Sequence, residues 1–195
     1  MGKMQIRKVS FFKSASKVFE CPKEGLFEVA VIWRSNVWKS SLINMLMGQG
    51  VAKASDKPGK TQLINYFLVN DEWYFVDLPG YWYAKSSLEN RRNWIDETYN
   101  YFVERNPLVL LLIDWSIPPQ KIDMEFMSEL DKENLSFFIV VTKIDKANQK
   151  SISKNIKLLK QEIVKYIGHE PNIFLSSAVK KIGREQILWA IEEYM

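Results

Sequence analysis

Lys39 and Ser40 follow an apolar run and a short polar turn in the order Trp33-Arg34-Ser35-Asn36-Val37-Trp38-Lys39-Ser40-Ser41. An ammonium and a hydroxyl opening a helix sit where backbone N–H groups converge, and that arrangement binds phosphate. The Walker A pattern asks for glycine, four residues, glycine, lysine and serine or threonine. The length and the Lys-Ser ending are kept here, but Trp33 and Trp38 occupy both glycine positions. Glycine accepts positive φ cheaply and lets the main chain touch phosphate, whereas a Cβ in the left-handed region costs about 1–2 kcal/mol. A ring at position 38 must leave the turn or fill the phosphate space.

Four further loops carry matching chemistry. Thr61, in the polar loop Lys57-Pro58-Gly59-Lys60-Thr61, can supply a second Mg²⁺ ligand beside Ser40. Asp77 in Asp77-Leu78-Pro79-Gly80 can hold a magnesium-bound water, and the Gly80 N–H can meet a γ-phosphate. In Thr142-Lys143-Ile144-Asp145 the carboxylate can accept both N–H groups of guanine while the Lys143 stem covers the base. Ala178, after Ser176 and Ser177, can give a backbone N–H to the guanine oxygen. Each loop taken alone has a plain reading as a helix start, a turn or a solvated charge cluster. Their shared order, each directly after an apolar run, favours a guanine-nucleotide site.

The elements needed to hold these loops are legible. Strands are expected at Leu26 to Ile32, Leu63 to Val69, Glu72 to Asp77, Leu108 to Asp114, Ser136 to Val141 and Asn172 to Leu175, with a hairpin turned at Asn70-Asp71. Helices are expected at Lys39 to Met47, closed by Gly48, and at Ile122 to Leu130 and Glu185 to Tyr194. A long helix should carry Leu88, Trp94, Ile95, Tyr99 and Phe102, and another should face inward through Ile152, Ile156, Leu159, Ile163 and Ile167. Strands alternating with helices imply an α/β, three-layer fold: a mostly parallel sheet, helices on both faces, and the ligand site at the carboxyl ends of the strands. Residues 1–24 read as an edge strand or arm, and 25–195 as one domain.

Composition narrows the function classes. One cysteine, Cys21, excludes an internal disulfide and cysteine-cluster metal sites, and the only histidine, His169, lies in a polar turn. No run of about 18 apolar residues exists, so a cytoplasmic, membrane-free protein is expected. The net charge of +4 is compatible with RNA without requiring it. The chain has 8 glycines, where average usage of about 7% predicts roughly 14, and 7 tryptophans. Trp33, Trp38 and Trp82 fall in motif loops, which reads less as core filling than as replacement of residues those loops need.

Over residues 5–194 the chain resembles the EngB family of ribosome-assembly GTPases, also called YihA or YsxC. The likeness is carried by Arg34-Ser35-Asn36-Val37 with Lys39-Ser40-Ser41-Leu42-Ile43-Asn44, by Lys57-Pro58-Gly59-Lys60-Thr61-Gln62-Leu63-Ile64-Asn65, by Asp77-Leu78-Pro79-Gly80-Tyr81 with Tyr83-Ala84-Lys85, by Pro118-Pro119, and by Thr142-Lys143-Ile144-Asp145. The resemblance implies a P-loop GTPase fold, binding of GTP or GDP with Mg²⁺, slow hydrolysis, and a monomer acting on the large ribosomal subunit or its rRNA, with no DNA partner. It implies nucleotide contacts at Arg34, Ser35, Asn36, Val37, Lys39, Ser40, Ser41, Gly80, Thr142, Lys143, Asp145, Ser176, Ser177 and Ala178, and metal contacts at Ser40, Thr61 and Asp77. The family has glycine where Trp33, Trp38 and Trp82 stand, and Trp115 after Asp114 is also a departure. Like that family, the chain has Tyr81 rather than a water-orienting glutamine after Gly80, so hydrolysis would need another way of orienting water. The leading expectation is a retained GTPase fold that binds GTP poorly or not at all. Alternatives are a working GTPase with a rebuilt phosphate loop and a nucleotide-independent ribosome or RNA-binding module.

Overall fold

Strands that are apolar along their whole length need cover on both faces. β2 (Phe27–Trp33) is buried at six of its seven positions. Alternation divides its side chains: Ala30 and Ile32 enter one core, Val29, Val31 and Trp33 the other. The structure, a computed structural model, describes residues 4–34, 39–48, 50, 63–80, 88–116 and 118–195, with the side chains of 88–95 left aside.

One sheet in the order β1-β3-β4-β2-β5-β6-β7 runs through the molecule. β1 (Val9–Ala15) and β3 (Ile64–Val69) are antiparallel, as are β3 and β4 (Trp73–Asp77). From β4 through β2, β5 (Leu108–Asp114), β6 (Phe137–Thr142) and β7 (Asn172–Leu175) every pairing is parallel. α1 (Lys39–Met47) and α5 (Arg184–Tyr194) cover the face that receives Trp33, through Leu42, Ile43, Leu46, Ile187 and Ile191. α2 (Leu88–Arg105), α3 (Lys121–Lys132) and α4 (Gln149–Ile167) cover the other, through Tyr101, Met127, Leu130, Leu159 and Ile163. The three-layer α/β expectation holds.

Local chemistry sets the boundaries. Asn70 and Asp71 turn the β3–β4 hairpin at φ 52° and 59°, a conformation that suits Asn and Asp. The Asn70 side chain also accepts from Arg7 N at 2.8 Å and donates to Gln5 O at 2.8 Å, which pins the stretch leading into edge strand β1. α3 starts one residue before the expected Ile122, where Gln120 N donates to Asp123 Oδ2 at 2.9 Å. α4 is capped by Asn148, which accepts from Ser151 N at 2.8 Å, and closes at Gly168 with φ 79°.

Trp33 corrects the loop reading. It is the last residue of β2, in register with Leu112 of β5, and is 5% exposed within the α1/α5-side core. Parallel pairing with β5 carries the strand one residue further than the apolar run suggests, and alternation then turns the indole inward with Val29 and Val31.

Candidate functional site

Lys39 is the first residue of α1, and the parallel pairing of β2 with β4 brings the end of β4 beside it, Val31 being in register with Asp77. Leu78 N donates to Val31 O at 3.1 Å and continues that alignment past the strand. Lys39 Nζ lies 3.4 Å from the Trp33 ring centroid, donates to Leu78 O at 3.1 Å and is ion-paired with the Asp77 carboxylate. An aromatic face, a carbonyl and a carboxylate thus surround one ammonium. Burial pulls the Lys39 amine below its ordinary value and Asp77 opposes that. Burial pushes the Asp77 carboxyl up, against Lys39 and a hydrogen bond from Asn65. The indole Nε1 of Trp33 is buried, with no hydrogen-bond partner among the described residues.

Gly80 lies against the same strand end. A Cβ there would sit 2.9 Å from Trp33 O and 3.3 Å from Arg34 O, so only glycine lets the two backbones approach this closely. Arg34, expected at a nucleotide, pairs with Asp123 of α3 at 3.3 Å. Ser40 and Ser41 occupy the first turn of α1, Ser40 half-buried and Ser41 exposed.

A second cluster forms where β6 and β7 end side by side. Lys143 takes the left-handed conformation, φ 62°, directly after Thr142, and its ammonium pairs with Asp114 at the end of β5. Asp114 Oδ1 accepts from Ser116 N at 2.8 Å and Ser116 Oγ at 2.6 Å. Burial raises the Asp114 carboxyl, but Lys143 and Ser116 together hold it below its ordinary value. Asp145 sits in the short turn Ile144–Lys146 and its Oδ1 accepts from Ser177 Oγ at 2.5 Å. That bond holds the Asp145 carboxyl low, with Lys180 and Lys146 adding to the effect.

Ser176 N donates to Val141 O at 2.7 Å, and Ser177 exchanges backbone bonds of 3.2 and 3.0 Å with Ile182. The loop that carries Ala178 is therefore set at a fixed height beside Asp145. Gly183 makes this possible: at φ 87° its missing Cβ would lie 2.2 Å from Leu175 O.

Thr142, Lys143, Asp145, Ser176, Ser177 and Ala178 come together at the ends of β6 and β7, while Lys39, Ser40, Asp77 and Gly80 meet at the ends of β2 and β4. Ser35, Asn36, Val37, Trp38, Thr61 and Trp82 lie outside the described residues. Sequence reasoning missed four partners: Asn65 and the Leu78 carbonyl around the Lys39–Asp77 pair, Asp114 for Lys143, and Asp123 for Arg34. A strand-end aspartate with serine two residues on was the one available signal, at Asp114-Trp115-Ser116.

A family model described as "50S ribosome-binding GTPase" matches residues 28–143. The "Probable GTP-binding protein EngB" of Christiangramia forsetii is 46% identical over 192 residues, covering 97% of each chain. A crystal structure of "a probable GTP-binding protein engB" superposes with TM-score 0.67 at 23% identity, over 85% of this chain and 97% of that one. Era "in complex with MgGDPNP" and a segment of 16S ribosomal RNA superposes with TM-score 0.65 at 26% identity, over 87% of this chain and 56% of that one. With its fold, its paired strand-end loops and near-full-length identity of this order, the chain belongs to the EngB family of GTP-binding proteins.

Proposed function

We propose that this chain is an EngB-type protein of the large ribosomal subunit, acting as a cytoplasmic monomer, in which GTP binding and hydrolysis are lost or severely weakened. The observation that carries the proposal is the engagement of Lys39, whose ammonium is held by the Trp33 ring, the Asp77 carboxylate and the Leu78 carbonyl. A desolvated cation–π contact is worth about 2 kcal/mol, and each 1.4 kcal/mol is tenfold in affinity. Withdrawing Lys39 from the indole alone therefore costs roughly 30-fold.

The residues fit the nucleotide unevenly. The base end suits guanine: Asp145 is held low and oriented by Ser177, and Lys143 is anchored beside it. The phosphate end does not, because Lys39 is already neutralised by Asp77, which also repels an incoming anion. Mg²⁺ would draw on Ser40, Asp77 and Thr61 in this family, and here Asp77 is occupied by Lys39.

Titration with fluorescent GDP and GTP in the presence of Mg²⁺ tests the reading. The expected result is no saturation in the micromolar range, and micromolar or tighter binding would overturn it. A working GTPase with a rebuilt phosphate loop is the second reading, favoured by the ordered guanine end. It calls for magnesium-dependent phosphate release that disappears on Lys39→Ala.

A further inference from the structure

α4 carries Lys150, Lys154, Lys157, Lys160 and Lys165 against the single carboxylate Glu162, five positive charges against one negative. That surplus of four equals the net charge of the whole chain, +4. The helix is docked on the sheet through Ile152, Ile156, Leu159, Ile163 and Ile167. At about 100° per residue Lys150, Lys154 and Lys157 fall on the opposite side, and all three are exposed. They span about 10 Å of axis at 1.5 Å per residue.

Neutralisation by neighbours was available and is not used. α3, packed against α4, carries four carboxylates and two lysines. Its described partners nevertheless lie off α4: Lys121 pairs with Glu125, Lys132 with Glu129 and Asp123 with Arg34, while Asp131 is bonded to His169. On α4, Lys160 pairs with Glu170 and Lys165 with Glu162, whereas Lys150, Lys154 and Lys157 have no ion pair among the described residues. At the upper end Lys146 and Lys180 act on Asp145, so the positive surface runs from the β6 and β7 loops down the helix.

We infer that the outer face of α4, centred on Lys150, Lys154 and Lys157, docks the phosphate backbone of a folded, double-helical RNA without help from nucleotide. The inference rests on the ribosomal part of the proposed function and goes beyond it by assigning the surface. An uncompensated lysine row answers a polyanion. The three positions have no aromatic side chain between them, and single strands are gripped by stacking on aromatics. A duplex read by its backbone needs only charge and shape. A helix lying in a membrane would keep its apolar side for lipid, but here that side is in the core.

The test is fluorescence anisotropy with a short RNA duplex, in nucleotide-free buffer and over a salt series, beside pelleting with large subunits. The triple variant Lys150→Glu/Lys154→Glu/Lys157→Glu should lose roughly tenfold or more in affinity and about three units of log–log salt slope, with an unchanged thermal melt. The control Lys121→Glu/Lys132→Glu on α3 should bind like the parent. Equal duplex binding by the triple variant, or a preference of the parent for anionic phosphatidylglycerol vesicles over duplex in competition, overturns the lysine face. Parent protein that pellets with subunits but ignores the duplex also overturns it, and leaves the ribosomal reading standing. Duplex binding that needs the three lysines, without subunit pelleting, supports the lysine face and removes the ribosomal reading instead.

Discussion

At Trp33 two requirements meet in one side chain. The indole fills the α1/α5-side core and at the same time presents its face to Lys39, while its Nε1 has no partner among the described residues. An unsatisfied buried donor costs about 1–3 kcal/mol, so the ring is not there because its polar edge is accommodated. Phenylalanine keeps a ring under the ammonium and drops that N–H. Trp33→Phe should therefore hold or raise stability in urea denaturation by about 1 kcal/mol and leave GDP binding weak. Trp33→Gly with Trp38→Gly should recover binding by an order of magnitude or more, since it removes the cation–π contact, about 2 kcal/mol, together with the ring that directly precedes Lys39 in the sequence. Either glycine alone should recover less. Fluorescent GDP titration of the four variants decides, and recovery with Trp33→Phe would show that the ring is not what holds Lys39 back.

Among the elements, the β7-to-α5 junction organises the base end. Gly183 brings Ile182 back onto Ser177, and Arg184 reaches across to the last turn of α1, its Nε donating to Met45 O at 2.9 Å and Leu46 O at 3.1 Å. A cation on orphan helix carbonyls is favourable. One turn thus fixes both the height of Ser177 and the packing of the phosphate-loop helix. Ser177 in turn holds the Asp145 carboxyl low, as Lys143 and Ser116 hold that of Asp114. A carboxylate depressed in the folded state contributes stability that is complete above its unfolded value, near 3.8, and is lost as pH falls through its folded value. Ser177→Ala should move Asp145 back towards its ordinary value, lower stability at neutral pH and flatten the stability–pH curve below about pH 4, so that variant and parent converge at the acid end. Urea unfolding at a series of acid pH values measures this, and an unaltered acid limb would show that Ser177 does not hold the carboxylate.

Across the whole molecule, the end of the sheet remote from the site is held by a buried ion pair. Glu28, 3% exposed at the start of β2, accepts from Arg105 Nε at 2.8 Å and Tyr101 OH at 2.7 Å, both from α2, and from Tyr66 OH of β3 at 3.4 Å. One carboxylate therefore joins a central strand, a hairpin strand and a helix. Removing one partner of a buried pair leaves a bare charge and costs about 3–5 kcal/mol, whereas replacing both with apolar groups is often neutral. Arg105→Met should lower unfolding free energy by that amount, and Glu28→Leu/Arg105→Met should regain most of it. Equal losses in the single and double variants would argue that packing, not the stranded charge, sets the cost.

The strands, the hairpin at Asn70-Asp71 and the inward stripe of α4 were legible because period, turn chemistry and capping act within a few residues of one another. Lys39, Ser40, Asp77, Lys143 and Asp145 could be singled out for the same reason, each lying at or shortly after the end of a strand. Chain composition could not tell which partner each would take. Trp33 meets Lys39 because pairing with β5 extends β2 and turns the indole inward, Lys39 meets Asp77 because β2 lies beside β4, and Asp145 meets Ser177 because β6 lies beside β7. Sheet order joins residues tens of positions apart, through burial and backbone register that no local stretch encodes. The sequence by itself thus determined which groups stand at the strand ends; the tertiary structure decided that the lysine among them faces an indole and a carboxylate.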